Sequence, residues 1–138
     1  MAEFGWNETR VGPGGLNDCA VRAWTFATGL DYSAVLAEMQ ALDDRCRRRP
    51  VDIQQRGTQL NAMRSFAAAH GWRWEDASGS RMGSAYQPTP FAPSELPEGS
   101  LVAITARHAV AVVDHVLQDE YDSRNNSGDL LGWFYQAA

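Results

Sequence analysis

Apolar residues follow helical spacings in the first half of the chain and short strand-like runs in the second. From Cys19 to Thr28 they lie nearly all round (Ala20, Val21, Ala23, Trp24, Phe26, Ala27), and Arg22 is the only charge. A helix of that kind sits inside a domain rather than on its surface. Asp18 can cap it, and Gly29 can end it in the left-handed conformation. Ser33 can cap a second helix carrying Val35, Leu36, Met39, Leu42 and Cys46 on one face. Arg45, Arg47, Arg48 and Arg49 gather at its end, before Pro50, where the helix dipole is negative. Thr58 can cap a third helix, with Leu60, Met63, Phe66, Ala67 and His70 facing inward and Gly71 as its stop.

The period then shortens. Trp72 and Trp74 alternate with Arg73 and Glu75, as in a short strand. Residues 76–99 are rich in Ser, Gly and Pro and read as a long loop, which in a small domain is more often functional than idle. Leu101 to Ile104, His108 to Val113, Val116 to Tyr121 and Leu130 to Tyr135 read as strands. Asp114-His115 is a tight turn between the second and third of these. Residues 1–18 read as an irregular lead-in. With no internal repeat and no dividing linker, the expectation is one α+β domain over residues 1–138, helices first and an antiparallel sheet second.

Composition narrows the functional classes. Hydrophobic residues make up 44% and charged residues 21%, too apolar for a disordered chain. Seventeen acidic against twelve basic residues, a formal charge of −5, argue against a general nucleic-acid binder. No apolar run approaches the ~18 residues of a membrane span. Met1 to Arg10 lacks a cationic-then-apolar design, so no secretory signal is expected and the compartment reads as cytoplasmic, where thiols stay free. Two cysteines are too few for a disulfide scaffold or a cysteine-rich zinc site, and no cofactor or metal is expected. All twelve basic residues are Arg, which a GC-rich genome explains most simply.

Candidate chemistry centres on Asn17-Asp18-Cys19. A thiol on the first turn of a helix feels the unpaired backbone N–H groups, which lower its pKa and can hold an oxyanion beside the sulfur. Cys46, on the apolar stripe of the second helix, reads as structural. Of three histidines, His70 fits a packed helix end and His115 an exposed turn. His108 differs, because a polar ring at the entry of a buried strand needs partners to offset its cost. Counting back from a two-residue turn puts His108 on the same face as Asp119, a diagonal neighbour able to orient its ring. A three-residue turn or a bulge would place Asp122 opposite instead, so Asp119 and Asp122 are both candidates for the third member.

These residues resemble papain-like cysteine peptidases, whose nucleophile opens a central helix and whose histidine opens a strand of an antiparallel sheet. Asn17-Asp18-Cys19-Ala20-Val21-Arg22-Ala23 is similar to the nucleophile motif, with an echo of ovarian-tumour-type deubiquitinases in its Arg-Ala pair. His108-Ala109-Val110-Ala111-Val112-Val113 is similar to the histidine strand. Gly57-Thr58 before a helix and Leu96-Pro97-Glu98-Gly99 before the histidine strands look like small bacterial and phage proteins of that fold. The resemblance implies a papain-like domain with a Cys19-His108-Asp119 triad cutting a peptide or isopeptide bond of a protein or peptide substrate. For a phage protein it implies the host cytoplasm. The family's Gln a few residues before the cysteine is missing, which leaves Asn17 and the Cys19 backbone N–H as oxyanion donors.

Two other readings compete. A papain-like scaffold could serve as a catalytically silent binding module, such as a phage-encoded modulator of a host protein. Trp6, Trp72, Trp74, Trp133, Tyr86 and Tyr135 would suit its surface, although aromatics are more often core. Arg45 and Arg47 to Arg49 could contact phosphates, but the simpler reading is a solvated, dipole-matching helix end.

Overall fold

The structure, a computed structural model, describes residues 6–9, 11–13, 16–77, 91–120, 122–124 and 128–136. Strand β1 (Trp6–Glu8) precedes helices α1 (Cys19–Thr28), α2 (Tyr32–Cys46), α3 (Ile53–Arg56) and α4 (Leu60–Ala69). Strands β2 (Trp72–Asp76), β3 (Ser100–Thr105), β4 (Ala109–Val113), β5 (Val116–Asp119) and β6 (Leu130–Gln136) follow. The fold is α+β. Most of the expected 76–99 loop, Tyr86 included, lies outside the described residues; Pro93–Glu95 within it form a 3-10 turn.

One six-stranded sheet runs in the order β1-β5-β4-β3-β6-β2. It is mixed rather than antiparallel throughout, because β1 pairs with β5 in parallel, Trp6 against Leu117 and Glu8 against Asp119. That corrects the reading of residues 1–18 as a lead-in. Three residues are too few to show a period, and their pairing comes from the open edge of β5. There the Asn7 side-chain amide donates to Gln118 Oε1 at 2.9 Å and the Thr9 N–H to the Asp119 carbonyl at 2.8 Å.

The β4–β5 hairpin has the register counted from its turn. Val113 pairs with Val116 and Ala111 with Gln118. Asp114 and His115 have φ of 48° and 76°, the left-handed pair that matches the twist of a two-residue hairpin. Asp114 Oδ1 accepts from the Gly99 N–H at 2.8 Å, and His115 Nδ1 meets the Ser94 carbonyl at 2.9 Å, so His115 is tied down rather than free.

Alternation along the strands divides the core. Val102, Ile104, Ala109 and Phe134 face the helices, where Trp24 of α1 packs with its ring centroid 5.1–5.2 Å from those of Phe66, Trp72 and Phe134. Leu101, Ala103, Val110, Val112 and Leu117 face the other way, onto Leu96. Trp72 is therefore core and not surface. Helix α1 packs against β4 and β3, which carries its first residue to the end of the sheet where β4 begins.

Two expectations on α2 are corrected. Its inward stripe is Val35, Met39 and Asp43, a four-residue step that continues to Arg47, so Cys46 falls off the stripe and is exposed. Asp43 is fully buried, its carboxylate accepting from Arg47 Nε at 2.5 Å and the Gln59 N–H at 2.7 Å. This ties the end of α2 to the start of α4. The cap positions are Asp31 and Gln59 rather than Ser33 and Thr58.

Gly132 in β6 is a packing requirement. A Cβ there would overlap the Trp74 ring and the Glu75 carbonyl. Gly132→Ala is expected to lower stability by about 1–3 kcal/mol through overpacking. The measurement is a urea-unfolding midpoint; one equal to the parent's would show that Trp74 moves aside freely.

Candidate active site

Cys19 is the first residue of α1, and no side chain caps the helix. Asp18 stands at the cap position, but its carboxylate turns away, accepting from Arg22 Nε at 2.9 Å and from the Tyr32 hydroxyl. The uncapped first turn keeps its N–H groups available beside the thiol. The Asn17 side-chain amide, the other candidate donor, is exposed and donates to the Gln55 carbonyl at 2.9 Å.

His108 lies in the β3–β4 turn, one residue before β4, where its carbonyl accepts from the Thr105 N–H at 2.9 Å. Its ring stands beside the Cys19 thiol in one cleft, near enough for each to shift the other's proton affinity, and its Nε2 meets Asp119 Oδ2 at 2.6 Å. Asp119 closes β5 and is buried. The structure thus brings Cys19, His108 and Asp119 together. Asp122 pairs instead with Arg124, at 2.7 Å to Nε and 2.6 Å to a terminal nitrogen. That contact holds its carboxyl below the usual range.

Asp119 is over-determined. Oδ2 also accepts from Ser123 Oγ at 2.7 Å, and Oδ1 accepts from the Glu120 N–H at 2.7 Å and from Arg22 at 3.0 Å. Arg22, only 8% exposed, joins three carboxylates: Asp18, Asp119 and, at 3.3 Å, Glu120. The chain of contacts runs on from Asp18 to Tyr32 and Gln54, whose amide donates to the Tyr32 hydroxyl at 3.1 Å. Burial and the bond to Asp18 push the Tyr32 hydroxyl up to about 12, so it stays a donor. Sequence reasoning missed Arg22, although a lone cation on an otherwise apolar helix was the signal, since a buried guanidinium needs carboxylates.

The electrostatics favour an ion pair. Burial pushes the Cys19 thiol up, but the hydrogen bond and charge of His108, the Ala109 N–H and the charge of Arg22 together bring it below its usual value. Burial pulls His108 down, yet its bonds and charge interactions with Asp119 and Cys19 raise it to about 9. Asp119 is pushed up by burial and more than pulled back by His108, Ser123 and the Glu120 N–H, so it stays ionised. A thiolate beside an imidazolium, with a carboxylate behind, is the nucleophile arrangement of acyl transfer.

Cys19 and His108 both line a cleft of about 460 Å³. The other two histidines stand apart from this arrangement: His70 meets Glu38 at 2.9 Å and stacks on Phe66, and His115 sits in its hairpin turn. Among the described residues no group of three His, Cys, Asp or Glu side chains has metal-binding geometry, and no helix is long and apolar enough to cross a membrane. Compared with protein-family models, curated proteins and solved structures, the chain matches none.

Proposed function

We propose that this chain is a cysteine-dependent hydrolase of papain-like fold, cutting a peptide or isopeptide bond in a protein or peptide substrate. The observation that carries the reading is the His108 ring bonded to Asp119 and set beside the Cys19 thiol in one cleft. A thiol serving only as core would need neither partner. The order of parts supports the fold assignment: a thiol-bearing helix packed on antiparallel strands, a histidine before one strand and its carboxylate on the next.

In the first step Cys19 Sγ attacks the carbonyl carbon, and the oxyanion is held by N–H groups of the first turn of α1, with Asn17 as a second donor. The intermediate collapses as His108 gives its proton to the leaving amine, which leaves a thioester. Water then attacks the thioester carbon while His108 takes its proton. The carboxylic product departs, and Cys19 is restored. Asp119 remains ionised throughout and stabilises the imidazolium.

An electrophilic probe tests the assignment, because the chain holds its own reference thiol. A peptidyl vinyl sulfone is expected to modify Cys19 and to spare Cys46, which is exposed and whose thiol donates to the Leu42 carbonyl at 3.4 Å rather than to a base. Adducts on Cys46, with Cys19 reacting only after denaturation, would overturn the proposal. The rate of peptide hydrolysis should also follow a bell in pH. On the acid side it falls as the thiolate takes a proton. On the alkaline side turnover falls as His108 loses its proton near pH 9. An alkaline limb near 6.5, the ordinary histidine value, would mean that Asp119 and Cys19 do not hold that proton.

A further inference from the structure

Resting on the hydrolase reading above, we propose that the cleft beside Cys19 selects a peptide chain bearing anionic side chains. The cleft that holds Cys19 and His108 is also lined by Arg47, Arg56 and Arg107. A second depression, of about 700 Å³, carries Arg48 and Arg49, and Arg47 and Gln59 line both. Among the described residues no Asp or Glu lines either one. A chain with a formal charge of −5 thus presents a run of guanidinium groups where its thiol opens. An anionic substrate is otherwise repelled by such a protein, so a local reversal of sign at the nucleophile bears on recognition.

The helix dipole does not account for these cations. Only Arg45 lies in the last turn of α2; Arg47 is already extended, and Arg48 and Arg49 lie beyond the helix. Arg47 is pinned by buried Asp43 and by the Gly57 carbonyl at 3.2 Å, so it shapes the wall while its charge is matched. Arg48, Arg49 and Arg56 are exposed and form no ion pair among the described residues. Their forks are fitted to carboxylate or phosphate oxygens. The nucleophile narrows the carrier of those anions to a polypeptide, since a thiolate poised for acyl transfer needs a carbonyl carbon that nucleic acid lacks at its backbone.

The test uses the whole chain and four vinyl sulfone peptides identical at the electrophile, with flanking Glu, phosphoserine, Gln or Lys. Labelling rates of Cys19 are divided by the iodoacetamide rate of the same protein. At ~20 mM salt the Glu and phosphoserine probes are expected to react about tenfold faster than the Gln probe, and the Lys probe slower, with the spread shrinking at ~0.5 M. The triple variant Arg48→Glu, Arg49→Glu, Arg56→Glu should reverse the order. Whichever of Glu and phosphoserine leads in the parent names the natural anion. Equal rates for Glu and Gln probes, or a preference that survives the triple variant, would overturn the proposal. A second readout separates this from failure of the nucleophile. Fluorescein-labelled Glu and Gln peptides titrated by anisotropy into the Cys19→Ala chain should show the same preference without any reaction. Preference there, with no labelling of the parent, would sink the hydrolase reading and leave the anion selectivity standing.

Discussion

Hydrolysis is expected to vanish in Cys19→Ala and in His108→Ala, and to fall by about 10,000-fold in Asp119→Asn. The three losses have different causes, and the last is the most informative. Asp119 Oδ1 accepts from Arg22 and the Glu120 N–H, while Oδ2 accepts from His108 and Ser123. An Asn side chain keeps its oxygen where two fixed donors meet it, which turns its NH2 toward His108 Nε2. That nitrogen must then accept, so the ring proton moves to Nδ1, the nitrogen left for the thiol, and the base is blocked. Loss of the carboxylate charge also lowers His108 from about 9. The thiol then rises, because His108 is what outweighs its burial. Iodoacetamide labelling of Cys19 as a function of pH separates the cases. Cys19→Ala shows none, whereas Asp119→Asn shows full labelling with its midpoint moved to higher pH. An Asp119→Asn chain with the parent's turnover and the parent's midpoint would remove Asp119 from the mechanism.

What could be read from the chain and what could not follow one physical division. The hairpin was legible because a two-residue turn counts residues: once Asp114 and His115 turn, Asp119 must come back onto the face of His108. The same arithmetic separates Asp119 from Asp122. Helix α1 was legible because an apolar decapeptide between Asp18 and Gly29 has only one way to be buried. Contacts made across the chain were not. Arg22 announces a need for carboxylates, but its partner Asp119 lies 97 residues away, and no local pattern names it. Asp18 looks like a cap and is instead spent on Arg22 and Tyr32. Asp43 looks like a surface residue interrupting a stripe, yet it is the buried anchor joining α2 to α4. Strand β1 has no pattern of its own and exists because β5 offers an edge. Periodicity reports which face is buried; it does not report which polar groups are buried with it.

Arg22→Met is expected to cost more stability than any change outside the core. Arg22 donates to Asp18 at 2.9 Å and Asp119 at 3.0 Å and lies 3.3 Å from Glu120, and its side chain is 9% exposed. Removing one partner from a buried ionic cluster typically costs about 3–5 kcal/mol, because the remaining charges stay desolvated and uncompensated. Set against a total of about 5–15 kcal/mol for a domain, that brings unfolding close to ambient conditions. Loss of packing alone would look different in its pH dependence. In the variant Asp119 keeps its bond to His108, but the buried cluster as a whole holds its negative charge with one cation fewer. Proton uptake then offsets part of that loss in the folded state alone, so the deficit is fullest at neutral pH and is relieved as pH falls toward about 4. Urea-unfolding midpoints of parent and variant, compared at pH ~7 and pH ~4, read this directly. The gap should be wide at neutral pH and narrow in acid. Arg22→Lys should fall between the two, since an ammonium keeps the charge but cannot reach Asp18 through one nitrogen and Asp119 through another. A gap of equal width at both pH values would mean that Arg22 fills space in the core and does not hold Asp119, the carboxylate that holds His108.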